Sequence, residues 1–154
     1  MEPARAAEPE DVAVLVELAR ALRAEMRGQR GGPLWSTREA RPEPLEPAFE
    51  DLLARDDAAV VVGTIDGTIV GFGTVEVEVL RDGARLGVIG DLFVDPGARA
   101  VGVGESIADE IVAFCTEQRC VGIDAFALPG ARDAKNFFER SGFTARALVM
   151  HRPL

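Results

Sequence analysis

Two aspartyl-glycine pairs, Asp66-Gly67 and Asp82-Gly83, punctuate the middle of the chain and narrow what it can fold into. Such a pair between apolar runs supplies the positive backbone dihedrals that a tight hairpin turn requires. The run "AAVVVGTI" precedes the first pair and "TIVGFGTVEVEVL" follows it. In the second run Val75, Val77 and Val79 alternate with Glu76 and Glu78, the period of a strand with one covered face. Beyond Asp82-Gly83, "LGVIGDLFV" has the make-up of a third strand. Together they predict an antiparallel meander.

The pattern on either side differs. Ahead of the meander, "EPEDVAVLVELARALRAEM" sets Val12, Leu15, Val16, Ala19, Leu22 and Met26 at helical spacing, with Pro9 and three acids at the start, where the helix dipole favours them. That helix is expected to end near Gly28. "RGQRGGPLWSTREARPEP" then reads as a long loop without periodicity, and "LEPAFEDLLARDD" as a short second helix. After the meander, "GESIADEIVAFCTEQ" predicts a helix from about Gly104, "CVGIDAFAL" a strand, "ARDAKNFFERSGF" a helix closed by Gly142, and "TARALVMH" a last strand. A strand, a crossover helix and a further strand imply parallel pairing at that point. The expected fold is therefore one α/β domain over residues 1–154, with a mixed, mostly antiparallel sheet and about four helices.

Composition removes several classes of function. No apolar run approaches the ~20 residues of a membrane span, and the acidic start "MEPARAAEPEDV" has no hydrophobic signal region, so a cytoplasmic chain is expected. A net charge of −9 argues against a partner built on phosphate backbones such as nucleic acid. The surplus of carboxylates keeps the protein soluble or attracts a cationic substrate. Cys115 and Cys120 lack metal-ligand and CxxC spacing, so no metal is expected, and free thiols in a reducing compartment are the simple interpretation. His151, the only histidine, stands three residues from the end and is expected at the surface.

The stretch "DPGARAVGVGES", Asp95 to Ser106, lies between the third strand and the following helix. Arg99, Gly102 and Gly104 form R-x-x-G-x-G with no large polar side chain until Glu105. A helix N-terminus offers unpaired amides and partial positive charge, and small residues before it let a phosphate approach them. No Gly-Lys-Ser/Thr ending makes this a P-loop, and position 107 is Ile107 where a dinucleotide fingerprint needs glycine. Alone, the motif fits a plain strand-to-helix turn as well as an anion site.

Four segments in order resemble the GNAT superfamily of acyl-CoA N-acyltransferases: "ARAAEPEDVAVL", "DGTIVGFG", "GDLFVDPGARAVGVGESI" and "AKNFFERSGF". The resemblance implies a central parallel pair of strands that splays to admit acetyl-CoA as cosubstrate. It implies that the amides of Ala100, Val101, Gly102, Val103 and Gly104 cradle the CoA diphosphate, with Arg99 at the head of the loop. The pantetheine arm would run along Phe93 and Val94, and the Leu92 N–H would face the thioester carbonyl and stabilise the oxyanion.

At the acceptor side the resemblance is thinner. Polyamine acetyltransferases carry "LEDFFV" where this chain has "IGDLFV", so the glutamate position is Gly90 and Asp91 remains as candidate base. Asp91 equally suits a carboxylate that binds the acceptor or bonds nearby groups, and strict alternation puts it on the opposite strand face from Gly90 unless a bulge intervenes. Glu76 and Glu78 are alternative acceptor-side carboxylates or a solvated sheet face. Trp35, with Arg38 in the same loop, is expected to shape the acceptor pocket. A tyrosine that protonates the leaving thiolate in many members corresponds to Phe138, and the chain has no tyrosine at all. Phe138 is left to pack beside pantetheine or in the core. The family's asparagine corresponds to Ala131, and Asn136 offers an amide to CoA or to solvent.

The activity implied is acetyl transfer to a primary amine by direct attack, with a small-molecule or peptide acceptor; homodimers are frequent in the family. Two alternatives stay open: a CoA-binding sensor with little catalysis, and an unrelated domain whose Asp95–Gly104 turn is only structural.

Overall fold

A computed structural model describes residues 2–154. The meander forms as expected: β2 (Ala58–Ile65), β3 (Thr68–Val79) and β4 (Arg85–Val94) pair antiparallel in sequence order. A two-residue strand, β1 (Arg5–Ala6), adds antiparallel to the free side of β2. On the other side β5 (Gly122–Asp124) runs parallel to β4, giving one sheet in the order β1-β2-β3-β4-β5.

Helices cover both faces. On one side lie α1 (Val12–Arg27), α2 (Gly32–Arg38) and α3 (Leu45–Leu53), whose apolar stripes bury Leu15, Trp35 and Phe49 against Val60, Val62, Phe72 and Phe93 of the sheet. On the other lies α4 (Val103–Glu117), which buries Val103, Ile107, Ile111 and Cys115 against Val61, Val75 and Ile89. The sheet beneath α4 is floored with glycine. A Cβ added at Gly63 would come within 2.5 Å of Val103 Cγ1, and one at Gly73 within 2.7 Å of Ile107 Cγ2. Close approach here sets how near the head of α4 lies to the sheet.

The last helix, α5 (Arg132–Arg140), closes with Gly142 at φ +93°, the Phe143 N–H donating to the Phe138 carbonyl and the Gly142 N–H to that of Glu139. The Phe138 and Phe143 rings meet edge-on at 5.2 Å, the apolar contact that accompanies such a cap.

Three expectations need correction. The segment after Gly28 is not all loop, because residues 32–38 form α2, too short for a periodic signal to stand out. The strand expected from "CVGIDAFAL" is reduced to Gly122–Asp124. "TARALVMH" forms no strand and joins no ladder among the described residues.

Among the described residues no helix is long and apolar enough to cross a membrane, and no cluster of His, Cys, Asp or Glu could hold a metal ion. Both cysteines are free thiols. Burial, with the neighbouring Cys120 adding to it, pushes the Cys115 thiol up to about 12. A thiolate-selective alkylating reagent at pH 8 is therefore expected to modify Cys115 only after unfolding, which mass spectrometry of native and denatured protein reads directly.

Candidate active site

β4 and β5 pair only over Leu86–Val88 with Gly122–Asp124, and beyond that the two strands part. A cleft of about 630 Å³ opens there, lined by β4 from Ile89 to Val94, the head of α4, α5 from Arg132 to Arg140 and the C-terminal part of α1.

The β4 wall follows from ladder geometry. The Asp95 N–H donates to the Val70 carbonyl, and Phe93 stands opposite Phe72. Because pairing alternates in an antiparallel ladder, the main-chain groups of Phe93 face β3 whereas those of Leu92 and Val94 point into the gap. Of the two residues expected to meet the ligand arm, Phe93 has its main-chain groups turned to β3, whereas Val94, like Leu92, has them turned into the gap. The Phe93 ring is buried among α1–α3.

At the head of α4, Ala100 adopts φ +67° and Gly102 φ +90°. Left-handed residues in this alternation turn successive amides inward to form an anion-sized concavity. The Ser106 N–H is the first to find a helical acceptor, the Gly102 carbonyl. Among the described residues the amides of Ala100, Val101, Gly102, Val103, Gly104 and Glu105 donate to no carbonyl and no side chain, and no side chain caps the helix.

Arg99 is already engaged. Its Nη1 and Nη2 donate to the two carboxylate oxygens of Glu25 at 2.9 and 2.8 Å, and its Nε donates to the Val94 carbonyl at 2.8 Å. Its guanidinium lies 5.5 Å from the Phe93 ring centre. The side chain thus bridges the cleft from β4 to α1 and holds one of the two outward carbonyls.

Asp91 lies in the β4 wall and is 6% exposed. Thr74 pairs with Asp91 while Val75 pairs with Ile89, so Gly90 is an extra residue, a bulge. The bulge breaks the alternation and turns both Gly90 and Asp91 toward the α1–α3 face. Arg41, in the α2–α3 connection, donates from Nη2 and Nε to Asp91 Oδ2 at 2.6 and 3.2 Å, and from Nη2 to Thr74 Oγ1 at 3.0 Å. Thr74 Oγ1 donates to the same Oδ2 at 2.7 Å. A Cβ at Gly90 would sit 3.0 Å from both Arg41 Nη2 and Thr74 Oγ1, so a larger residue there would crowd the arginine's approach to Asp91. All three bonds fall on Oδ2. No fully buried side-chain oxygen among the described residues lacks a partner, so Oδ1, which accepts none of these bonds, keeps some solvent access, and Asp91 lines the cleft.

Other expected residues divide. Trp35, Asn136 and Phe138 line the cleft, Trp35 being buried with Leu22 and Leu128 at its α1 end. Phe138 also packs with Phe137 at 5.5 Å. Glu76 and Glu78 do not join it: Glu76 is ion-paired with Arg55 just past α3, and Glu78 is exposed near the far end of β3. Sequence reasoning missed Arg41, Thr74 and Glu25. Nothing local marks them, since each acts through a partner that is remote in sequence.

A model described as the acetyltransferase (GNAT) family matches residues 18–143. No curated protein matches the chain in sequence. Among solved structures, a tetramutant of the BH1408 protein from Bacillus halodurans superposes with TM-score 0.84 at 18% identity, covering 99% of this chain and 100% of that one. Glucosamine-6-phosphate N-acetyltransferase from Arabidopsis thaliana gives 0.71 at 22% identity, covering 97% and 96%. An aminoglycoside acetyltransferase from an uncultured soil metagenomic sample gives 0.72 at 22%, covering 98% and 93%. At these identities the likeness is one of fold.

Proposed function

This chain belongs to the acetyltransferase (GNAT) family, and we propose that it transfers the acetyl group of acetyl-CoA to a primary amine by direct attack. The observation that carries the proposal is the run of partnerless amides from Ala100 to Glu105 at the mouth of the gap between β4 and β5. Those amides suit the CoA diphosphate, and the outward Val94 N–H and Leu92 main-chain groups suit the pantetheine arm and the thioester carbonyl. Asn136 and Phe138 line the same passage on α5.

A lysine-like ammonium costs about 4–5 kcal/mol to deprotonate at pH 7, so the acceptor needs a base. Asp91 is the candidate: Arg41 and Thr74 pin Oδ2, leaving Oδ1 to take the amine proton through a water. The amine nitrogen then attacks the thioester carbon and forms the C–N bond. The Leu92 N–H stabilises the oxyanion, and the C–S bond breaks. CoA departs as thiolate, and the second proton that the nitrogen sheds on becoming an amide passes through water to that sulfur, since the chain has no tyrosine to supply one. Trp35 and Leu128 give the acceptor end an apolar wall.

Incubation with acetyl-CoA and a panel of primary amines, followed by free-thiol release, tests this. Amine-dependent release is expected. Stabilisation by CoA with no release on any amine would leave a CoA sensor instead, and no response to CoA would discard the site.

The Arg99–Glu25 bridge makes a graded prediction. Surface pairs of this kind contribute about 0.2–1 kcal/mol, and here that energy opposes ligand entry. Glu25→Gln is expected to free Arg99 and lower KM for acetyl-CoA by at most about fivefold, read from initial rates.

A further inference from the structure

The way α4 ends sets two sulfur atoms beside each other. The helix closes with Arg119 at φ +60°, the Arg119 N–H donating to the Thr116 carbonyl at 3.1 Å and the Cys120 N–H to the Cys115 carbonyl at 3.0 Å. Such a pair of bonds turns the chain back on the helix, so that the side chain second after the cap meets one in the last helical turn. At this cap those positions are Cys120 and Cys115. Any two small apolar residues would make the same contact, since a free cysteine packs as a small hydrophobe. Two thiols add a chemistry to it.

The pair differs in access. Cys115 is 2% exposed, and its sulfur rests on β4, where a Cβ at Gly87 would come within 2.6 Å of it. Cys120 is half-buried in the same apolar cluster, near enough to act on the Cys115 thiol by charge and by hydrogen bonding. A reagent from solvent therefore meets Cys120 first. Both sulfurs lie at the closed end of the gap. Gly87 stands opposite Ile123 in the stretch where β4 and β5 still pair, and the Val121 N–H donates to the Arg85 carbonyl at 2.7 Å.

We infer that Cys115 and Cys120 form a dithiol that hydroperoxides oxidise, giving a disulfide that ties the tail of α4 to the entry of β5. The Cys120 sulfur attacks a peroxide oxygen and the O–O bond breaks. The thiol proton goes to the departing oxygen, so the peroxide leaves as water or an alcohol, reduced by two electrons, and Cys120 becomes a sulfenic acid. The Cys115 sulfur then attacks that of Cys120. The S–S bond forms, the S–O bond breaks, and hydroxide leaves with the Cys115 proton as water. Contact between the two side chains supplies this second step without solvent reaching Cys115, and a thiol reductant reverses it. The inference does not depend on the acetyltransferase reading.

Peptide mapping of the folded, reduced full chain tests it. The protein is treated with equimolar hydrogen peroxide, quenched with an alkylating reagent, then unfolded and cut with trypsin. Cleavage after Arg119 separates the two cysteines, so the disulfide appears as a linked pair of peptides. That pair is expected from single chains, with loss of both free thiols and their return on reduction. In Cys115→Ser the reaction is expected to halt at the sulfenic acid, raising dimedone labelling of Cys120 at least about tenfold over the parent. In Cys120→Ser, a mild change at a half-buried site, Cys115 is expected to remain a thiol. Three outcomes overturn the proposal: both thiols still free under peroxide that fully oxidises N-acetylcysteine; Cys120 carried on to sulfinic acid beside a Cys115 thiol; and linkage between chains instead of within one.

Discussion

Asp91→Asn is expected to lower kcat for amine acetylation by about 10²–10⁴-fold, the usual contribution of a positioned base, while KM for acetyl-CoA changes little. The carboxamide keeps an oxygen for Arg41 and Thr74 but cannot take the amine proton. A stability cost accompanies it. Arg41 is largely buried beside Phe49, with its guanidinium 5.4 Å from the ring centre. Taking the charge from its partner leaves an uncompensated cation, for which the cost reaches about 3–5 kcal/mol. The two effects separate experimentally. If Asp91 only holds Arg41 in place, kcat at temperatures where circular dichroism reports a folded protein stays within a few-fold of the parent. A base leaves a folded, CoA-responsive and inactive enzyme.

Gly73→Val carries the second large effect, from the opposite face of the sheet. The first added carbon already meets Ile107 Cγ2 at 2.7 Å and Ile111 Cδ1 at 2.9 Å, with Leu92 Cδ1 at 3.3 Å. Both isoleucines are fully buried, so α4 must lift. Overpacking of this kind costs about 1–3 kcal/mol, which in a chain of this size lowers Tm by about 2–12 °C. Because the amides of Ala100 to Glu105 ride on the head of the same helix, CoA affinity is expected to fall as well. Misplacing a binding group by ~1 Å can cost up to about 10²-fold. Gly122→Ala is the control, since its Cβ would find only Leu86 Cδ1 at 3.9 Å. Thermal melts with and without CoA read both quantities, and an unchanged CoA affinity in Gly73→Val would detach the helix head from binding.

How far the sequence foretells this molecule depends on the range of the interaction. The hairpins at Asp66-Gly67 and Asp82-Gly83 rest on local dihedral preference, and they form in register. The loop from Ala100 to Gly104 is equally local, because small residues ahead of a helix leave its amides bare whatever surrounds them. The bulge at Gly90 is different. A lone glycine in an apolar strand permits a bulge, yet Arg41 decides it by filling the space, and Arg41 lies in a segment without periodicity. Glu76 and Glu78 alternate as a strand should, but alternation fixes a face and not a neighbour, and on that face Glu76 meets Arg55. "TARALVMH" has strand composition and pairs with no strand among the described residues, so local preference and pairing disagree there.

In the proposed site, main-chain amides rather than a lysine would hold the diphosphate. Two-dimensional amide NMR of the labelled protein, titrated with CoA, tests that most directly. The account predicts that the resonances of Ala100, Val101, Gly102, Val103 and Gly104 shift together at one apparent Kd and lose exchange with water, with Leu92 and Val94 following. If CoA binds while those amides stay where they were and keep exchanging, the diphosphate sits elsewhere and the proposed site is wrong.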